Sequence, residues 1–142
     1  MTAPDVHLPL DDALPILDAE TAPFWHGLAR RELLLKWCTA CGRPHYYPRD
    51  FCPFCWSDRT EWRRATGHGT VFATTVVHQH GLEPFRSRAP YNVSIVELDE
   101  GPRLLAPVHG IAPDAVRIGT AVELDPEVHG DIGLPRFRPR TA

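Results

Sequence analysis

The pattern of apolar and polar residues predicts a short helix near the start of the chain, followed by a strand. In the segment ETAPFWHGLARREL, Phe24, Trp25 and Leu28 fall close together on one helical face. Thr21 can serve as the N-cap of this helix, and a proline is tolerated in its first turn. The pattern then changes, and ELLLKW predicts a strand that leads into Cys38.

The second half of the chain has the pattern of a small all-β domain. Residues 69–80 are dense in β-branched side chains and predict a long strand. YNVSIVELD and RLLAPVHG predict a hairpin around the turn DEGPR, TAVELDPEV predicts a fourth strand, and LPRFRP predicts a short fifth. GLEPFRSRAP is predicted to be a loop, and IAPDAVRIG a connection with a short helical turn. Five strands without a long helix favour a closed barrel, and the OB fold is the first candidate.

Composition supports an ordered protein rich in turns. The chain has 142 residues, of which 43% are hydrophobic, and it contains 15 prolines and 10 glycines. No apolar run approaches the roughly 18–20 residues of a membrane span. The first residues lack the basic start and apolar run of a secretory signal peptide, so we expect a cytoplasmic protein. Residues 1–19 are predicted to form a flexible acidic arm with a short helical turn at residues 11–17.

Charge is unevenly distributed along the chain. The formal net charge is −3, but residues 30–64 hold eight bases against four acids, which gives this segment +4. Such a segment could meet an anion. It also holds the four cysteines of the chain, and small zinc modules are often basic on their surface. Single-stranded nucleic-acid binding is therefore an alternative function, since zinc ribbons and OB barrels both serve it. The net negative charge of the chain and of residues 65–142 opposes that reading.

Four cysteines lie in WCTACGRPHYYPRDFCPFCW, and the chain has no others. They form two Cys-x-x-Cys pairs ten residues apart, each followed by residues that favour a turn. Two such knuckles facing each other bring four thiolates to one point, as in tetrahedral zinc sites. The predicted ligands are Cys38, Cys41, Cys52 and Cys55. Iron in a rubredoxin-like site has the same geometry, so the spacing leaves zinc and iron open.

A four-thiolate site has structural consequences for function. With all four ligands engaged, the metal keeps no open position for water or substrate, so the site is predicted to be structural. No cysteine remains as a nucleophile, and no serine lies in a Gly-x-Ser-x-Gly setting. His78 and His80 share one face of a strand, but no carboxylate is placed to join them. The sequence therefore predicts no catalytic residue in this chain.

The order of these motifs resembles a known family. The helix with Phe-Trp is followed by CTACG and CPFC, then by TGHGTV, TTVVH, PY, VELDEGPRLL and a final proline-flanked phenylalanine. This order resembles the acyl-CoA-associated proteins grouped as domain of unknown function 35, over residues 20–139. The resemblance implies a mainly β fold with N-terminal helices, a rubredoxin-like zinc ribbon and a five-stranded OB barrel. We divide the chain at residues 20–64 and 65–142 accordingly.

The same resemblance implies the function. Members of the family act as partners of thiolase-superfamily enzymes, so we expect a non-catalytic zinc-binding subunit of a hetero-oligomeric acyl-CoA-processing complex. Thiolase-type or aldolase-type partners would serve the degradation of steroid side chains, fatty acids or aromatic acids. Arg86 and Arg88 are predicted to lie near the phosphates of coenzyme A in a shared acyl-CoA site. The face formed by Phe24, Trp25 and Leu28 is predicted to dock the partner, because a zinc knuckle offers little core to receive it.

Overall fold

The computed structural model describes residues 13–141, and their secondary structure is mostly β. The helices are α1 (Ala22–Ala29), α2 (Phe85–Arg88) and a 3-10 turn at Pro113–Ala115. The strands are β1 (Leu34–Cys38), β2 (Pro44–His45), β3 (Thr60–Arg64), β4 (His68–Val77), β5 (Tyr91–Leu98), β6 (Arg103–Ala106), β7 (Ala121–Leu124), β8 (Glu127–His129), β9 (Ile132–Leu134) and β10 (Phe137–Pro139). None of the helices among these residues is long and apolar enough to cross a membrane.

The cysteine-containing segment forms a three-stranded antiparallel sheet in the order β2-β1-β3. Lys36 in the central strand pairs with His45 on one side and Trp62 on the other. The expected strand before Cys38 is confirmed, and the chain after each Cys-x-x-Cys pair turns back on itself. This sheet is the ribbon that presents the cysteines.

Five strands form the barrel, in the order β10-β7-β4-β5-β6. The chain after β6 closes it through a parallel bridge between Val108 and Phe137. Two backbone hydrogen bonds hold this closure: His109 N–H donates to the Phe137 carbonyl over 2.9 Å, and Phe137 N–H donates to the Pro107 carbonyl over 3.0 Å. This bridge joins the two ends of the sheet, as in the partly open barrel of the OB fold. The five-stranded OB barrel expected from the sequence is confirmed.

Three details of the predicted elements were wrong. The fourth strand is two strands, β7 and β8, because Pro126 cannot donate to a continuous ladder. The loop between β4 and β5 contains the short helix α2. A further strand, β9, pairs with β8 in a separate hairpin before β10. The alternation of apolar residues gave no signal for this hairpin, since Gly130 and Gly133 interrupt it.

The hairpin β8–β9 lies directly against α1. A Cβ atom added to Gly133 would sit 2.4 Å from the Leu28 carbonyl carbon and 2.5 Å from the Ala29 nitrogen, so only glycine allows this approach. Phe24 and Leu28 are fully buried as a result, and Trp25 is half-buried. The expected docking face is therefore corrected: Phe24 and Leu28 belong to the protein's own core, and the barrel side of the molecule supplies the packing that a zinc knuckle lacks.

The N-terminal segment also differs from expectation. Residues 13–20 are turns and bends without helix, and residues 1–12, including most of the predicted acidic arm, lie outside the described residues. Among the described residues a single helix precedes the ribbon, where several were expected. Thr21 does not cap α1 with its side chain. Its hydroxyl donates instead to Asp18 Oδ1 over 2.8 Å, and its backbone N–H donates to the same oxygen.

One apolar core serves both modules. Leu33 and Leu35 of the ribbon pack in the same cluster as Val71 and Val122 of the barrel, and all four are almost fully buried. The ribbon is thus anchored on the barrel through side chains close to β1. This shared core fixes the cysteine knuckles relative to the barrel surface.

Candidate metal centre and barrel cavity

The first knuckle follows β1 directly. Cys38 is the last residue of that strand, and its N–H donates to the Arg43 carbonyl over 3.0 Å. The Gly42 N–H donates back to the Cys38 carbonyl over 2.9 Å, which completes a tight turn with Gly42 at φ +77°. The Cys41 N–H points at the Cys38 sulfur over 3.4 Å. This turn places two sulfurs side by side with backbone donors aimed at one of them.

The second knuckle repeats the same hydrogen bonds. Cys52 N–H donates to the Ser57 carbonyl, and Trp56 N–H donates to the Cys52 carbonyl, both over 2.9 Å. The Phe54 N–H points at the Cys52 sulfur over 3.4 Å. The two knuckles are therefore equivalent turns that face each other, which explains why the spacing of the cysteines alone was informative.

The four cysteine sulfur atoms lie close together. They all lie within 4.8 Å of one another, and the pairs Cys38–Cys55 and Cys41–Cys52 are each 3.6 Å apart. A tetrahedral zinc with Zn–S bonds of about 2.3 Å requires sulfur separations of roughly 3.8 Å. The residues thus fit one structural zinc, as the sequence predicted, and the set of four leaves no position for substrate.

The electrostatics of the cluster also suit a cation. The Cys41 N–H is the main group that lowers the pKa of the Cys38 thiol, to about 7, even though burial acts in the opposite direction. The hydrogen bond from the Arg43 N–H lowers the pKa of Cys41, but burial and the neighbouring sulfurs outweigh it and raise that pKa to about 11. Four thiolates at these separations repel one another strongly, and a divalent cation offsets that repulsion. The metal would hold the two knuckles together, and no described residue is placed to use it for catalysis.

A cavity of about 470 Å³ lies on the barrel, between α2, the β5–β6 side and the hairpin β8–β9. Most of its wall is apolar, with a few polar groups at its edge. Its principal apolar residues are Phe85, Tyr91, Val93, Leu105, Pro107, Leu134 and Pro135. A mostly apolar cavity with few polar groups is typical of small-molecule sites.

The two arginines predicted to meet coenzyme A phosphates lie on α2, beside this cavity. Arg88 lines it, and its guanidinium forms two hydrogen bonds with the Glu127 carboxylate, over 2.8 and 3.2 Å. Arg86 is exposed, and one of its nitrogens donates to the Gly81 carbonyl. Burial raises the pKa of Glu127, but the hydrogen bonds from Arg88 outweigh it and the net pKa is lowered. Arg86 is therefore more available than Arg88 to bind a phosphate, because Arg88 is already paired with a carboxylate.

The other residues singled out in the sequence do not form a catalytic site. His78 is exposed, and His80 Nδ1 contacts the backbone of Leu82. Ser87 donates to Glu83 and Ser94 donates to Asn92, so neither has an imidazole partner among residues 13–141.

The structure also contains a cluster of charged side chains that no sequence pattern had indicated. The carboxylate of Asp125 is held by Arg31 over 2.7 Å, by His109 and by Arg136 over 3.7 Å. Burial raises the pKa of Asp125, but the hydrogen bonds from Arg31 and His109 outweigh it and the net pKa is lowered. Arg31 follows α1, 94 positions before Asp125, so only the tertiary fold brings them together. The cluster ties the ribbon module to the barrel.

The chain is similar to several known proteins. It is 36% identical over 126 residues to a probable enoyl-CoA hydratase alpha subunit of Thermomonospora curvata, which covers 88% of this chain but only 39% of that protein. It is 33% identical to a DUF35 domain-containing scaffold protein of Methanocaldococcus jannaschii, over 70% of this chain and 71% of that protein. This chain thus spans about two fifths of the hydratase subunit.

A solved structure and two family models match the same regions. The structure is described as the Ltp2-ChsH2(DUF35) aldolase, and one of its chains matches with a TM-score of 0.77 and 36% identity, over 88% of this chain and 98% of that one. The family models are the ChsH2 rubredoxin-like zinc ribbon domain, at residues 25–61, and the ChsH2 C-terminal OB-fold domain, at residues 62–125. The ribbon, the four-cysteine cluster and the closed barrel agree with both models, and the chain belongs to the DUF35 family of ChsH2-type zinc-ribbon and OB-fold proteins.

Proposed function

We propose that this chain is a non-catalytic subunit of an acyl-CoA-processing complex, in which it assembles with a thiolase-superfamily enzyme and shapes the acyl-CoA channel. The observation that carries the proposal is the likeness across 98% of a chain solved as part of an aldolase. The similarity to an enoyl-CoA hydratase alpha subunit supports acyl-CoA chemistry in the same way.

The chemistry of the described residues supports an accessory role. All four cysteines converge on one structural site, so none is free to attack a thioester. Ser87 and Ser94 hydrogen-bond to a carboxylate and an amide, which leaves each without a general base of the usual kind. The nucleophile or base for the reaction would then come from the partner.

The barrel cavity is the place we assign to the acyl-CoA on this subunit. Its apolar wall suits the acyl or pantetheine part. Arg88 lies at its edge, and Arg86 is exposed on the same short helix, where phosphates would meet solvent. Arg86 supplies the available cation. Arg88 forms an ion pair with Glu127 at this edge. It would contact a phosphate only by sharing its guanidinium between the phosphate and the Glu127 carboxylate.

Co-expression tests the assembly. A tagged version of this chain should co-purify at fixed stoichiometry with a thiolase-superfamily subunit encoded in the same genome, and the complex should cleave or condense an acyl-CoA. The chain alone should show no turnover of any acyl-CoA. Robust activity that survives further purification of the isolated chain would contradict the accessory role.

A second experiment tests the channel. Replacing both Arg86 and Arg88 by alanine should raise the KM of the complex for acyl-CoA about tenfold, since each charge-assisted hydrogen bond contributes ~1.5–3 kcal/mol and Arg88 is already paired. Arg140→Ala is the matched control, because it removes an exposed arginine that lies neither on α2 nor on the cavity wall. A KM equal to that of the control would remove both arginines from the site while leaving the assembly intact.

A further inference from the structure

The two zinc knuckles differ at one equivalent position. Gly42 and Trp56 each follow the second cysteine of their pair, and each donates its N–H to the carbonyl of the first cysteine over 2.9 Å. Both have left-handed backbone conformations, with φ +77° at Gly42 and φ +65° at Trp56. Glycine adopts this conformation without steric conflict, whereas a residue with a Cβ atom is strained there.

The Trp56 side chain gains little from folding that offsets this strain. Its side chain is 79% exposed, so the indole ring buries little surface within the chain. A glycine at position 56 would relieve the backbone and expose less apolar surface. Strained residues that persist at the surface are concentrated at functional sites. The tryptophan therefore points to an interaction that the isolated chain does not make.

Trp56 belongs to a group of exposed aromatic residues on the second knuckle. Phe51 is 58% exposed and Phe54 is 49% exposed, and Tyr47 precedes them at 42%. We call these four residues the knuckle surface. Contiguous exposed apolar patches mark interaction sites, and these four side chains lie within ten residues of the chain.

Three arginines lie in the same segment as the knuckle surface. Arg43 stacks on Phe54, with its guanidinium carbon 3.5 Å from the ring centre. Arg49 and Arg59 are exposed on the same segment. Among residues 13–141, none of these three arginines forms an ion pair with a carboxylate. The segment thus combines exposed aromatic side chains with three arginines that have no carboxylate partner among the described residues, and it also carries the exposed carboxylates of Asp50 and Asp58.

A groove of about 440 Å³ continues from the knuckle surface to the β5–β6 turn of the barrel. Phe54 and Arg43 form one of its sides, and Arg103 forms part of the other. Two residues that line it have a buried polar atom without a hydrogen-bond partner among the described residues: Nδ1 of His45, a side chain that is 2% exposed in total, and Oε1 of Glu100. His45 Nε2 lies 3.2 Å from the Arg49 carbonyl and donates to it in the neutral ring, which leaves Nδ1 as an acceptor.

We propose that the knuckle surface is the docking site for the catalytic partner, with Trp56 as its anchor, a proposal that rests on the accessory function proposed above. The partner surface that fits is a protein surface with an apolar pocket for the indole ring and carboxylates at its rim for the three arginines. A loop of that partner lies in the groove beside the Glu100 side chain. Such an arrangement matches the anatomy of protein interfaces, where tryptophan and arginine dominate the binding energy.

Charge favours a protein partner over single-stranded nucleic acid. Aromatic residues next to arginines also stack bases, but a nucleic-acid groove is lined by cations along its length. Here Glu100 lines the groove beside the knuckle surface, and the chain carries a net charge of −3. A phosphate backbone would meet this carboxylate, whereas a protein loop can present a donor to it.

Trp56→Gly is the decisive variant, because the structure predicts that it separates folding from docking. The variant should keep one zinc and melt at the same temperature as the wild type or higher, since glycine relieves the left-handed backbone. Its dissociation constant for the purified thiolase-superfamily subunit should be about 30-fold higher, as expected for loss of a central hot-spot tryptophan. Ile118→Ala is the matched control: it truncates another exposed apolar side chain, 71% exposed and on the barrel, and should leave the affinity unchanged.

The charge reversals Arg49→Glu and Arg59→Glu, made together, test the rim. They should weaken binding further and remove most of its salt dependence, because the wild-type complex gains from opposite charges. A fluorescein-labelled oligodeoxythymidylate is titrated in parallel, and sedimentation of the chain alone reports self-association.

The binding results distinguish the docking site from the accessory function. If the wild type binds the partner and Trp56→Gly binds equally well, the docking site lies elsewhere and the accessory function stands. If the wild type binds no thiolase-superfamily subunit, both proposals fall. Loss of oligonucleotide binding or of a dimer in Trp56→Gly, with partner binding intact, would likewise overturn the assignment of the partner to this surface.

Discussion

Gly133→Ala is the sharpest test of how the ribbon module is held on the barrel. The substitution adds one methyl group at the point where β9 crosses α1. That methyl would lie 2.4 to 2.6 Å from three atoms of Leu28 and Ala29, two of which are backbone atoms. Normal contacts are about 3.5–4.0 Å, so the hairpin or the helix must shift by about 1 Å. Backbone atoms of a helix cannot rotate away as the end of a flexible side chain can.

The expected loss of stability follows from two opposing terms. Overpacking of this kind costs typically ~1–3 kcal/mol, and contact with helix backbone places Gly133→Ala near the upper end. The alanine also restricts the unfolded chain, which returns roughly 0.4–1 kcal/mol. The net destabilisation is then about 2 kcal/mol, equivalent to a fall in Tm of roughly 4–8 °C for a chain of this size.

Gly81→Ala is the matched control. It makes the same chemical change at a glycine with no atom within 4 Å of the new methyl and without a left-handed backbone, so it should raise stability slightly. Thermal and urea unfolding followed by circular dichroism, with zinc content measured in parallel, compare the two variants. If Gly133→Ala melts within about 1 °C of Gly81→Ala, the hairpin does not pack on α1 as described.

Two further predictions concern the metal and the ion-pair cluster. Purified protein should contain about one zinc per chain. Cys52→Ser or a chelator should unfold the ribbon, because structural zinc contributes about 10–16 kcal/mol to folding in small modules. Elemental analysis that finds well below one equivalent of any metal would refute the site. The lowered pKa of Asp125 contributes stability that is present above its unfolded value of 3.8 and is lost as pH falls through the folded pKa. Asp125→Asn should therefore be less stable at pH 7 and should lose less stability on acidification than the wild type. If the free energies of unfolding of the two proteins, measured in urea, fall in parallel as the pH is lowered, the prediction is wrong.

Much of the architecture was predictable because it depends on local pattern. The strand before Cys38, the hairpin around the turn DEGPR and the barrel of five strands follow from period-two alternation and turn residues, which act over a few neighbours. The metal ligands were predictable for the same reason, since each knuckle is a local turn that fixes two sulfurs. The split of the fourth strand at Pro126 had a local signal as well, in the inability of proline to donate to a ladder.

The sequence by itself therefore determined most of the strands, the zinc ligands and the family, because local turns and residue spacing decide them, whereas the β8–β9 hairpin had no such signal. Only the tertiary structure decided which apolar face is buried. The helix face of Phe24 and Leu28 has the pattern of a docking surface, but β9 approaches it closely enough to bury it because Gly133 has no side chain. Burial depends on partners distant in the chain, and no local pattern contains that information. The same reason explains Trp56, whose exposure became apparent only when the rest of the fold left it uncovered.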